Sequence, residues 1–220
     1  MPSESAPHLI YFADPMCSWC WGFSPVIQAI EHEFGDTLPI RVVLGGLRPG
    51  TRDPMQAADR ARTREHWQHV QAMTGQAFDW GFFERPRFVY DTEPACRAVV
   101  VLRRHDQALA LRALRDIQQA FYAGNQDVTD GPVLARIATG LGMDAAEFER
   151  AWNSEQARQL TQADFALTQA SGIGGFPTLI AGVDPKRPYS LVTHGYQSRD
   201  AMLPALRNWL GAQAGPDARG

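Results

Sequence analysis

The sequence holds only three cysteines in 220 residues, too few and too odd a number for a disulfide-stapled secreted scaffold. No apolar run approaches the roughly 20 residues that a membrane-spanning helix needs, so no membrane association is expected. Positive charge is not in excess either. The chain has 21 Lys and Arg against 24 Asp and Glu, with the arginines scattered among acids, which argues against nucleic acid as a partner. The opening residues Met-Pro-Ser-Glu-Ser lack the basic and apolar parts of a secretory leader, and a cytoplasmic location is the expectation. Repeats and low-complexity stretches are missing apart from a short polar tail after Gly211, and nothing in the sequence speaks to oligomeric state. What remains is ordinary globular usage, 45% hydrophobic and 20% charged, enough to build a core.

The apolar run His8 to Ala13 reads as a short buried strand, closed by Asp14-Pro15. From Cys17 to Phe34, Trp21, Val26, Ile27, Ile30 and Phe34 recur at helical spacing, with Gly35 as a stop. Pro25 falls inside that pattern and is expected to kink the helix. Pro39 to Leu44 is a second β-rich run, ended by Gly45-Gly46. Strand, helix, strand is a βαβ unit and implies a parallel pair.

Between Pro54 and Ser171 the β signature fades and several helices are expected, with Phe88 to Tyr90 a weak strand candidate. Helix starts are placed at Asp91 or Thr92 before Pro94, at Asp130 before Pro132, and at Asp144 with Glu147 three residues on. The strand pattern returns at Thr178 to Ala181 and Tyr189 to His194, and a last helix is expected from Ser198 to Leu210. Strands at both ends and helices between them describe an α/β domain interrupted by a helical insertion.

Two of the cysteines, Cys17 and Cys20, stand three apart at a strand-to-helix turn. Disulfide exchange needs a thiolate that attacks, a second thiol that resolves the mixed disulfide, and a spacing at which the two can bond each other. A helix start favours the thiolate of Cys17, through unpaired amides and the positive end of the helix dipole. Cys17 is therefore read as the nucleophile and Cys20 as the resolving thiol. The competing reading is half of a zinc site, but the other ligand candidates are Cys96 and six scattered histidines, of which only His66 and His69 lie close together. No metal and no cofactor are expected.

The motifs Asp14-Pro15-Met16-Cys17-Ser18-Trp19-Cys20-Trp21 and Gly172-Ile173-Gly174-Gly175-Phe176-Pro177-Thr178 resemble the DsbA-like branch of the thioredoxin superfamily, most closely its FrnE-like cytosolic members. The resemblance implies a thioredoxin-like fold with a large all-helical insertion, residues 1–53 and 172–220 forming the thioredoxin-like domain and 54–171 the inserted helices. It implies a thiol-disulfide oxidoreductase or isomerase acting on protein or small thiol substrates, with glutathione or a thioredoxin-type reductant as candidate partners. It also implies a cis peptide bond at Pro177 beside the cysteine pair, with Phe176 offering its backbone to an extended substrate. Trp19, between the cysteines at an exposed turn, and Trp21 are the further substrate-contact candidates.

The chain departs from its relatives at two points. Ser18-Trp19 replaces the Pro-His of the strongly oxidising periplasmic enzymes. Tyr11 stands where thioredoxin has a buried acid, and is expected to pack the core, leaving water or Asp14 to move protons. Cys96 is expected to be buried as a small hydrophobe, with a disulfide relay as its alternative. The aromatic stretch Phe78, Trp80, Phe82, Phe83, Phe88 and Tyr90 either packs the insertion or lines a groove above the cysteines. Two other functions share this layout: a glutathione-dependent isomerase or transferase, and an adaptor whose cysteines only sense redox state.

Overall fold

The buried run His8–Ala13 forms β1, one of the two inner strands of a four-stranded sheet in a computed structural model that describes residues 6–213. The polar tail after Gly211 lies largely outside the described residues. Strand β1 pairs in parallel with β2 (Ile40–Leu44), and α1 (Ser18–Phe34) makes the crossover. On its other side β1 runs antiparallel to β3 (Thr178–Gly182), which pairs in turn with β4 (Ser190–His194), giving the order β2-β1-β3-β4. This is the thioredoxin-like fold. Helix α1 lays Cys20, Phe23, Val26, Ile27 and Ile30 into the core that also holds Leu9 and Tyr11, and it continues through Pro25.

Six helices fall between β2 and β3: α2 (Ala57–Thr74), α3 (Glu93–His105), α4 (Leu109–Tyr122), α5 (Gly131–Gly140), α6 (Ala145–Trp152) and α7 (Glu155–Ala170). Helix α8 (Arg199–Gln213) closes the chain and accommodates Pro204. The Asp144 side chain accepts from the Glu147 amide at 2.9 Å, the cap the sequence suggests. Thr92 also precedes its helix, but its hydroxyl is spent elsewhere, accepting from the Arg48 amide at 3.1 Å.

Phe88 to Tyr90 is not a strand, correcting that expectation. Phe88 and Tyr90 are buried in an aromatic cluster, where Phe82 and Phe121 take their rings, and no ladder forms beside them. Their alternation reflects packing, not pairing. The hub of that cluster is the fully buried Trp67, surrounded by Phe78, Phe82, Phe83, Phe121 and Tyr122. The aromatic stretch thus mostly packs the inserted helices.

The outer edge of β2 is closed by side chains of α3 and α7. Arg103 donates to the Val42 carbonyl at 2.6 Å and forks onto both carboxylate oxygens of Asp164, at 2.9 and 3.1 Å. Asp164 accepts from the Leu44 amide at 2.9 Å, and Thr168, one turn later, donates to the Leu44 carbonyl at 3.2 Å. Three backbone groups that a fifth strand would take, the Val42 carbonyl and the amide and carbonyl of Leu44, are satisfied instead by the insertion.

Candidate active site

The turn after β1 is built around Asp14, which is fully buried. Its backbone carbonyl accepts from the Cys17 amide at 3.1 Å and its Oδ1 from the Met16 amide at 2.8 Å, fixing a tight turn. Its Oδ2 accepts from the Leu47 amide at 2.7 Å and from the Cys96 thiol at 3.4 Å. Burial raises the Asp14 carboxyl, opposed by these donors. Tyr90 adds a second tie, its hydroxyl donating to the Met16 carbonyl at 2.7 Å. One carboxylate and one phenol therefore lock the Cys17 turn to the loop after β2 and to the inserted segment.

Cys17 is the N-cap of α1, with φ −91° and ψ 117°, and no acid stands in the helix's first turn. Its sulfur thus faces the open amides and positive end of the helix, unopposed by a carboxylate on that turn. The thiol lies 3.6 Å from the Phe176 carbonyl as a donor. The Phe176-Pro177 peptide bond is cis, and the Pro177 carbonyl accepts from Gly195 at 2.7 Å, which pins the loop to the end of β4.

Cys20 is wholly buried one turn into α1, within hydrogen-bonding reach of Cys17. Burial pushes its thiol well up, and the neighbouring Cys17 and the Asp14 charge add to that. Tyr11 adjoins it with a buried hydroxyl that has no nitrogen or oxygen partner, and burial holds that phenol protonated. The Cys96 thiol is likewise pushed up by burial, then by Asp14. All three cysteines are free thiols.

A groove of about 220 Å³ opens in front of Cys17. Cys17, Trp19 and Phe176 line it together with Leu47, Arg48, His66 and Tyr90. Trp19 is half-buried between His69 and Tyr196, with ring centroids 5.5 and 6.0 Å away. Trp21 stands apart: its indole N–H donates to the Ala77 carbonyl at 3.0 Å and its ring stacks on Tyr122, both facing the protein interior. Cys20 and Pro177 lie behind the groove wall and do not line it. A larger cavity of about 430 Å³ among α3, α6 and α7 shares no residue with this groove and has no cysteine in its lining.

Of the aromatic stretch that could have lined a groove, Tyr90 does so, whereas Gly45 and Arg48 were not singled out for the site by sequence reasoning. Gly45-Gly46 read only as a turn, yet a Cβ on Gly45 would sit 2.0 Å from the Phe176 ring. The distal end of the ring rests against bare backbone. Gly45→Ala is expected to dislodge Phe176, costing about 1–3 kcal/mol of stability as an overpacked contact and raising KM for a peptide disulfide. Denaturation and steady-state kinetics on the same variant check both; unchanged kinetics would show that the ring's seat does not matter.

Comparisons with known proteins agree with this geometry. The sequence family described as Thioredoxin matches residues 11–202. A "putative protein disulfide isomerase" from Nitrosomonas europaea is 38% identical, with a TM-score of 0.87 over 96% of this chain and 100% of that one. The cytosolic disulfide reductase DsbM of Pseudomonas aeruginosa, whose structure is also solved with GSH, is 26% identical over 94% of this chain and 98% of its own, at a TM-score of 0.74. The ClpXP adapter protein SpxH of Bacillus subtilis is 23% identical over 93% of this chain, which spans 68% of that relative's length.

Proposed function

Because the chain belongs to the thioredoxin family, in its DsbA-like oxidoreductase branch, we propose that it is a cytosolic disulfide reductase or isomerase working through Cys17 and Cys20. The observation that carries this is the asymmetry of the pair: Cys17 on the groove at an open helix end, Cys20 sealed behind it with its thiol pushed up. In the reductive direction the Cys17 thiolate attacks a substrate disulfide, one substrate sulfur leaves as a thiol, and a mixed disulfide forms at Cys17. Cys20 then loses its proton and attacks Cys17, releasing the second substrate thiol and leaving the Cys17–Cys20 disulfide. Two electrons pass to the substrate, and a small thiol such as glutathione returns them. A GSH-bound relative supports that choice of reductant.

Phe176 and Pro177 form the wall on which an extended substrate would lie, and Trp19 the apolar edge beside it. Trp21, buried and satisfied, supports the helix start instead of touching substrate. Residues 54–171 act as an inserted helical unit that roofs the site, and the described parts of 1–53 and 172–220 as the thioredoxin-like unit.

Reaction with iodoacetamide tests the asymmetry. At neutral pH the reduced protein is expected to be modified at Cys17 alone. Cys20 and Cys96, whose burial keeps them as thiols, should react only well above the ordinary thiol range or after unfolding. Equal labelling of all three in the folded protein would reject the assignment. Catalysed reduction of insulin by glutathione tests the activity itself.

The SpxH likeness supports a second reading, an adaptor in which the cysteines sense redox state. Capture of one stoichiometric partner that survives loss of both cysteines, without turnover of any disulfide, would favour it.

A further inference from the structure

The groove in front of Cys17 has an uneven charge. None of its eleven lining residues is an acid, whereas Arg48 and His66 are both on its wall. Arg48 makes no ion pair among the described residues, unlike Arg97, Arg103 and Arg207, each of which meets a carboxylate. A guanidinium on the same wall as the nucleophile, with no acid beside it, suits an anionic ligand, because arginine is the side chain best shaped to hold a carboxylate in a two-pronged contact.

Its placement is also fixed in advance. The Arg48 amide donates to the Thr92 hydroxyl at 3.1 Å and its carbonyl accepts from the Thr92 amide at 3.4 Å, so the backbone is clamped to the start of α3. The guanidinium carbon lies 5.0 Å from the centre of the Tyr90 ring, and Tyr90 is itself anchored to the Met16 carbonyl next to Cys17. Stacking on an aromatic face occupies the flat side of a guanidinium and leaves its N–H rim open.

We propose that Arg48 reads a carboxylate on the incoming thiol, so that the groove takes small anionic thiols of the glutathione kind ahead of neutral ones. This rests on the oxidoreductase reading and names the substrate class of the same site. A thiolate of this kind attacks Cys17 of the Cys17–Cys20 disulfide, the S–S bond breaks, and Cys20 receives the electron pair and a proton. A second thiolate attacks the small-molecule sulfur of the resulting mixed disulfide and frees the Cys17 thiolate. Two thiols become one disulfide and one protein disulfide becomes two thiols. In the intermediate, the ligand is tethered at Cys17 and its carboxylate falls to Arg48.

The test is a selectivity ratio, kcat/KM for glutathione over kcat/KM for 2-mercaptoethanol, both reducing the oxidised protein. Arg48→Gln is expected to lower the ratio by roughly fivefold or more, the size of a charge-assisted contact discounted for partial exposure. The loss should sit in KM for glutathione, and Arg48→Lys should recover part of it. The unaltered protein gives an independent arm: glutathione diethyl ester, with both carboxylates blocked, should lose the same preference. An unchanged ratio in Arg48→Gln, or equal use of glutathione and its ester by the unaltered protein, would overturn the inference while leaving the oxidoreductase reading intact. Failure of the unaltered protein to turn over either thiol would remove that reading, and the inference with it.

Discussion

Replacing Cys17 by serine is expected to bring disulfide turnover down to the uncatalysed rate, a loss on the order of a thousandfold or more. The serine hydroxyl is nearly isosteric, and the tie to Phe176 and the Asp14 turn would survive, so the fold should stand while the chemistry fails. Cys20→Ser should behave differently. Attack by Cys17 remains possible, but nothing buried behind it can release the substrate, so a mixed disulfide accumulates and is visible by intact-mass measurement. The pair of variants separates the two roles. Comparable residual activity in both, or turnover that persists without Cys17, would show that the groove is not the place where disulfides are exchanged.

Arg103→Ala is expected to lower stability by about 3–5 kcal/mol, because it leaves the Asp164 carboxylate buried without its cation and the Val42 carbonyl without its donor. The urea midpoint checks this, at constant slope. Removing both charged partners at once, as Arg103→Met with Asp164→Leu, should cost less than Arg103→Ala alone, since no lone charge remains, though the Leu44 amide would then be unpaired. A shift of under about 1 kcal/mol for Arg103→Ala would mean the edge is not held by this pair.

The strands and helices that frame the site were legible because their signals are local. The apolar run His8–Ala13, the Cys17 turn and the periodic face of α1 each follow from a few adjacent residues. So did the Cys17–Cys20 pair and, through its motif, the Phe176-Pro177 loop. Contacts made across the chain were not legible. Asp14 reads as a turn residue, and only the fold brings Leu47 and Cys96 onto its free oxygen. Thr92 reads as a helix cap, and the fold assigns its hydroxyl to Arg48. Gly45 reads as punctuation, and its bare face matters only because Phe176, 131 positions later, rests on it. Phe88 to Tyr90 shows the converse error, in which burial imposed by a tertiary cluster imitates the alternation of a strand.

Sealing β2 with arginine, aspartate and threonine has a further outcome for how this molecule meets others. Lateral growth of the sheet needs a row of unclaimed amides and carbonyls, and on that flank the Val42 carbonyl and both backbone groups of Leu44 are already claimed. The opposite flank, β4, ends the sheet with Leu191 turned outward. Backbone pairing with another chain is therefore disfavoured along β2, and the side chains of α3 and α7 make that flank a place for packing instead of sheet extension.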